Sequence, residues 1–151
     1  MKKNRIMIVE DDIVTARSLQ MSLEKLGYII TTIVSSGEQA IQKLEEGDSP
    51  DLVLMDISLQ GELDGIETAS ILATRFNLTV IYLTSHDDKD VFEKAKMTNP
   101  YGYLIKPFKT EELKKIVELG VHRLRSDADR LMLVTELKNE IVERHRIEKE
   151  L

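Results

Sequence analysis

Four short apolar runs in this chain each lead into a residue able to handle a phosphoryl group. Arg5-Ile6-Met7-Ile8-Val9 leads into Glu10-Asp11-Asp12, and Leu52-Val53-Leu54-Met55 into Asp56. Leu78-Thr79-Val80-Ile81-Tyr82-Leu83 leads into Thr84, and Tyr101-Gly102-Tyr103-Leu104-Ile105 into Lys106-Pro107. Runs of this length, alternating with amphipathic stretches, read as strands of a parallel sheet buried on both faces. In open α/β sheets ligands bind beyond the carboxyl ends of the strands. Acids, a hydroxyl and a lysine therefore meet at one sheet edge, a place for a hard cation and a phosphoryl group.

The stretches between the runs carry helix signals. The first helix, about 12–26, puts Ala16, Leu19, Leu23 and Leu26 on one face and stops at Gly27. Tyr28–Val34 reads as the second strand. Ser36 is the expected cap of the next helix, with Ala40, Ile41 and Leu44 inward and Gly47 as its stop. Asp64-Gly65 opens a helix with Ile66, Ala69, Ala73 and Phe76 inward. A fourth helix is expected near 88–98, with Val91, Phe92 and Ala95. Thr110 is the expected cap of the fifth, and Glu111 and Glu112 suit the positive end of its dipole.

No glycine or proline follows Gly120. Residues 121–151 read as a helical continuation with Leu124, Ala128, Leu131, Val134, Leu137, Ile141 and Leu151 near one seam, an imperfect coiled-coil pattern. The expected division is 1–122 for the sheet domain and 123–151 for a helical extension that pairs as a homodimer.

Charge and composition narrow the function classes. With 42% hydrophobic and 32% charged residues, the 151-residue chain can bury a core and stay in water. It has no cysteine, which excludes disulfides and thiolate metal sites. The net charge is −6, and residues 122–151 balance seven Lys/Arg against seven Asp/Glu, so the excess acid lies in the first domain. With no basic stripe, direct nucleic-acid binding is not expected. No run approaches the about 18 apolar residues of a membrane span, and the first strand starts too early for a signal peptide, so a cytoplasmic protein is expected.

The set of strand-end residues resembles the receiver domain of two-component response regulators over about residues 4–122. The matching features are the acidic pair Glu10 and Asp11, Asp56 ending the third strand, Thr84 ending the fourth, and Lys106-Pro107 after the fifth, with Tyr103 at the aromatic switch position. The resemblance implies a flavodoxin-like, doubly wound five-stranded parallel sheet of order 2-1-3-4-5 with an extended C-terminal helix. It implies that Asp56 accepts a phosphoryl group from a sensor histidine kinase or histidine phosphotransfer protein. Asp11, Asp56 and the Ser58 carbonyl would bind Mg2+ directly and Glu10 through water. Lys106 and Thr84 would meet the phosphoryl oxygens, and Thr84 and Tyr103 would form the switch. The Lys106-Pro107 bond would be cis. Such a domain is a phosphoacceptor and not a conventional enzyme, catalysing only its own phosphoryl transfer and dephosphorylation.

Taken singly, these residues carry little. An aspartate after an apolar run is usually a turn residue, a strand-end threonine is usually structural, and Lys-Pro is usually a loop. Their joint occurrence in order is what is specific. Asp12 is assigned to the start of the first helix, and His86, His122 and His145 to solvent. Ser58 and His86 would flank the attacking water, and neither orients it well, so slow self-dephosphorylation is expected. The chain departs from the family pattern after Asp56: the loop to Asp64-Gly65 lacks the usual proline and is one residue longer, which predicts a more mobile loop. The segment 140–151 is similar to the charged helix that precedes PAS or kinase modules in hybrid sensor kinases. Two rival readings are a docking scaffold that works without phosphorylation and a haloacid-dehalogenase-type phosphotransferase. Intact Asp56, Thr84 and Lys106 argue against the first. The second wants another aspartate where Ser58 stands.

Overall fold

The computed structural model describes residues 4–59, 61–85, 93 and 102–150, with the backbone alone at 125–131 and 145–150. Five strands, β1 (Arg5–Val9), β2 (Ile29–Val34), β3 (Leu52–Asp56), β4 (Thr79–Ser85) and β5 (Gly102–Lys106), form one parallel sheet in the order β2-β1-β3-β4-β5. Four helices are described: α1 (Ile13–Lys25), α2 (Gly37–Glu45), α3 (Gly65–Arg75) and the C-terminal α4 (Thr110–Glu150). The helix expected near 88–98, with Val91, Phe92 and Ala95, lies outside the described residues; Glu93 alone is described there, and it is helical.

Alternation along each strand divides the core between two faces, as the period of two requires. Met7, Val9, Val53, Met55, Val80 and Tyr82 face α2 and α3, where they meet Ala40, Leu44, Ala69 and Leu72. Ile6, Ile8, Leu52, Leu54, Ile81 and Leu83 face α1 and α4, against Leu19, Leu23, Leu113 and Val117. Because both faces are covered, the strands read as continuous apolar runs and not as alternating ones.

Helix ends follow the expected chemistry in most places. The Ser36 hydroxyl accepts the Gln39 N–H at 3.2 Å, capping α2. Gly27 (φ +97°) and Gly47 (φ +111°) reverse the chain after α1 and α2. In each case paired backbone bonds close the end: Tyr28 N–H to the Leu23 carbonyl and Asp48 N–H to the Lys43 carbonyl, both at 3.0 Å. Asp12 occupies the cap position of α1, and its carboxylate accepts the Thr15 hydroxyl at 2.5 Å.

Two expectations need correction. Thr110 is the first helical residue of α4 and not its cap; the Lys109 carbonyl accepts from Leu113 N–H at 3.2 Å, so the helix opens one residue earlier. On α3 the inward face is Gly65, Thr68, Ala69 and Leu72, while Ala73 is exposed. The cause is close packing at two glycines. A Cβ on Gly65 would overlap the Asp56 carbonyl, and one on Gly37 would overlap the Thr68 hydroxyl. Only with α3 turned to set Gly65 and Thr68 inward do these contacts fit. Ile66 and Phe76 remain half-buried at the margin of the core.

α4 runs unbroken through Gly120. Leu113, Val117 and Val121 are buried, and Leu124 packs at the edge of the core. Beyond it the seam residues Val134, Leu137 and Ile141 are exposed, as are Met132, Leu133 and Val142. The side chains of Ala128, Leu131 and Leu151, placed on the same seam from the sequence, lie outside the described residues. No helix among the described residues is long and apolar enough to cross a membrane.

Candidate functional site

The order β2-β1-β3 places the topological switch point between β1 and β3, where the sheet opens a crevice at its carboxyl edge. Glu10 and Asp11 follow β1, and Asp56 ends β3. One carboxylate oxygen from each of these three lies within 4.8 Å of the others. Glu10 and Asp56 are buried, at 2% and 3% exposure, and Asp11 is exposed at the rim. Strand pairing supplies the precision: Val9 sits opposite Met55, so the residues that follow are brought together by register and not by loop conformation.

Lys106 reaches this cluster from the end of β5. Its Nζ donates to Glu10 Oε1 at 3.0 Å and Oε2 at 3.2 Å, and lies 3.5 Å from Asp56 Oδ2. The Lys106-Pro107 peptide is cis, as expected. Asp56 is held from the other side by Ser58, whose backbone N–H and hydroxyl both donate to Oδ1, at 3.0 and 3.1 Å. The sequence gives no sign of this contact by the Ser58 amide and hydroxyl, since it joins a residue to its own near neighbour in a loop without periodic pattern.

The charges are strongly unequal. Burial, reinforced by Asp56 alongside, pushes the Glu10 carboxyl up to about 8 despite Lys106. Burial also acts to raise Asp56, but hydrogen bonds from Glu10 and the Ser58 amide, with the Lys106 charge, outweigh it and hold Asp56 below the usual carboxylate range. Lys106 is depressed by burial and raised by the two carboxylates, and the carboxylates prevail. The pocket thus keeps a proton on Glu10 because two adjacent buried carboxylates with one ammonium are still over-supplied with negative charge. An all-oxygen donor set that holds a proton for want of positive charge fits a hard divalent cation such as Mg2+. The acidic triad is typical of the Mg2+ site of receiver domains.

Thr84, at the end of β4, is buried next to the paired positions Asp56 and Leu83. Its hydroxyl donates to the Ser85 carbonyl at 3.3 Å. One strand further out, Tyr103 is half-buried and stacks on Tyr82, with centroids 5.9 Å apart and planes at 25°. Tyr82 was not singled out from the sequence, since a tyrosine inside an apolar run reads only as core. His122 is exposed, as expected, whereas His86 and the His145 side chain lie outside the described residues.

The model of the response regulator receiver domain family matches residues 6–118, and the chain belongs to that family. It is a two-component receiver, a signalling domain and not a conventional enzyme. The chain is 34% identical over 121 residues to the transcriptional regulatory protein PdtaR of Mycobacterium tuberculosis, covering 80% of this chain and 58% of that one. It is 32% identical over 113 residues to the two-component response regulator ARR10 of Arabidopsis thaliana, covering 74% of this chain and 20% of that one. The chain therefore spans little more than half of the first relative and a fifth of the second. Among solved structures, it is similar to the signal receiver domain of a modulated diguanylate cyclase from Desulfovibrio desulfuricans G20. That match has a TM-score of 0.78 and 38% identity, covering 83% of this chain and 99% of that one. The N-terminal domain of a response regulator/sensory box/GGDEF protein from Carboxydothermus hydrogenoformans matches with a TM-score of 0.76 and 35% identity, covering 83% and 99%.

Proposed function

We propose that this receiver takes a phosphoryl group from the phosphohistidine of a sensor kinase or histidine phosphotransfer protein onto Asp56 and converts it into a change at α4. The observation that carries the reading is the convergence of Lys106 Nζ on Glu10, at 3.0 Å, and on the ionised Asp56, at 3.5 Å. Asp56 is the ionised, Ser58-oriented carboxylate of the group, the form a nucleophile needs. Its Oδ oxygen attacks phosphorus and forms an acyl phosphate as the bond from phosphorus to the donor nitrogen breaks. Lys106 moves from Asp56 to the incoming phosphoryl oxygens, and Thr84 offers its hydroxyl to another of them. Asp11, Asp56 and the Ser58 carbonyl would hold Mg2+, with Glu10 behind water. The ion would supply charge neutralisation at the transferring group. The same residues catalyse hydrolysis of the acyl phosphate. Ile13 and Val14, 70% and 76% exposed beside the acidic pocket, offer apolar contact to the donor protein.

Movement of Thr84 toward the phosphoryl group empties space beside Tyr82, into which Tyr103 turns, changing the outer face of β5 and α4. The receiver spans 1–122, and 123–151 is the output segment. Its exposed apolar residues pair with those of a second copy in a parallel coiled coil, because leaving them in water forfeits about 25 cal/mol per Å². The domain works in the cytoplasm, without direct contact to nucleic acid or membrane.

Incubation with Mg2+ and a small acyl-phosphate donor, followed by intact mass, tests the chemistry. The parent chain should gain one phosphoryl group, and Asp56→Asn should gain none. Stoichiometric labelling of Asp56→Asn overturns the assignment.

A further inference from the structure

The loop from Ile57 to Asp64 is longer than the family pattern and has no proline. Several of its described residues are held by contacts to other elements. Ile57 and Leu59 are buried in the core, and Ile57 N–H donates to the Leu83 carbonyl at 3.0 Å. At the far end the Asp64 carboxylate accepts the Glu67 N–H at 2.8 Å, capping α3. Between these ends a side chain from another element reaches in: Glu38 Oε1, from the first turn of α2, accepts the Leu63 N–H at 2.8 Å.

The chain turns around that carboxylate. Gly61 has φ +128°, a conformation that L side chains rarely adopt, and its Cβ position lies 3.4 Å from Glu38 Oε2. The Glu38 carboxyl is held below its usual range, first by its own backbone N–H and next by that of Leu63, so the acceptor is an anion. An ionised acceptor makes the stronger kind of hydrogen bond.

We propose that Glu38 is a positioning residue for the phosphoacceptor: it clamps the 57–64 loop through the Leu63 amide and so keeps the Ser58 amide on Asp56. Ser58 and Leu63 lie in the same loop, with Leu59 as a buried anchor between them. Loosening Leu63 weakens the hold on Leu59, and Ser58, itself exposed, follows.

Amide hydrogen exchange of the full chain, without metal or phosphodonor, tests this directly. In Glu38→Ala, exchange at Leu63 and Ser58 should quicken about fivefold, with Met7 and Val53 in the sheet unchanged. Glu38→Gln, whose amide oxygen still accepts, should stay closer to the parent. Gly61→Ala, which strains the turn from the opposite side, should reproduce the Glu38→Ala pattern. Unchanged exchange at Ser58 in both Glu38→Ala and Gly61→Ala overturns the proposal, and so does acceleration that reaches Met7 and Val53 equally.

A second arm rests on Asp56 as metal ligand and phosphoacceptor: Mg2+ titrated calorimetrically into Glu38→Ala should bind about threefold more weakly, with partial recovery in Glu38→Gln. Equal affinity in parent and Glu38→Ala refutes the link to the site. A parent chain that binds no Mg2+ would count against the proposed chemistry, while the exchange arm would still judge the clamp.

Discussion

Leu54 and Leu137 are the same residue type, and both sit in regular secondary structure. Leu54 lies in the centre of β3 with no exposed surface; Leu137 lies on α4, 51% exposed. The contrast extends to their surroundings. From Ile6 to Val121, the strands and inward helix faces bury their apolar residues in two continuous clusters. From Met132 to Val142, every large apolar side chain of α4 faces out, with 42–68% of its surface exposed. The first region is specified by its own contacts. The second has a helical backbone with its large apolar side chains exposed, so its arrangement is open to control from outside. A signalling protein needs both: a rigid frame that holds the chemistry, and a segment whose packing can be changed by it.

The largest effect should separate these two leucines. Leu54→Ala removes a fully packed side chain and should cost about 2–5 kcal/mol in urea unfolding. Leu137→Ala should cost less than about 0.5 kcal/mol at a concentration where the chain is monomeric. Similar losses at the two positions would mean that α4 folds back on the body and that the contrast is false. Next in size is association. Sedimentation at tens of micromolar should give a dimer for residues 1–151 and a monomer for 1–124, and Leu137→Lys with Ile141→Lys should return the full chain to monomer. If 1–151 is a monomer both with and without a phosphoryl mimic at Asp56, the paired-helix output is wrong.

How much of this could be read from the sequence follows the same divide. The strands were legible because a doubly covered parallel sheet needs uninterrupted apolar runs, and the strand-end residues were legible because register alone brings Glu10, Asp11, Asp56 and Lys106 to one edge. The helix stops at Gly27 and Gly47 were legible from local backbone chemistry. The face of α3 was not, since its rotation is fixed by contacts across elements, Gly65 on the Asp56 carbonyl and Thr68 on Gly37. Nor was the Glu38–Leu63 bond, which joins residues 25 apart in sequence through a loop with no periodic pattern.

The last effect concerns pH, is spread over several pH units and should belong to the body alone. Burial raises Glu10 from the usual carboxylate value to about 8 in the folded, metal-free domain. A folded-state value above the unfolded one means that the native protein binds the extra proton between the two. Glu10's contribution is therefore complete below its unfolded value of 4.5 and declines as pH rises through about 8. Asp56, whose value is lowered, contributes in the opposite sense, but its loss comes only as pH falls below the ordinary aspartate range. Lys106, whose value is raised above an already high one, stays charged throughout this window. Urea midpoints in chelator should thus fall from pH 5 to pH 8.5. Millimolar Mg2+ should raise the midpoint more at pH 8.5 than at pH 5, because the cation replaces the charge that the Glu10 proton supplies at low pH. Since the effect arises at the sheet edge, chains 1–124 and 1–151 should give superimposable profiles once both are monomeric. A decline that vanishes in 1–124 would place the titrating group on the extension, and a decline that survives Glu10→Gln would remove Glu10 as its source.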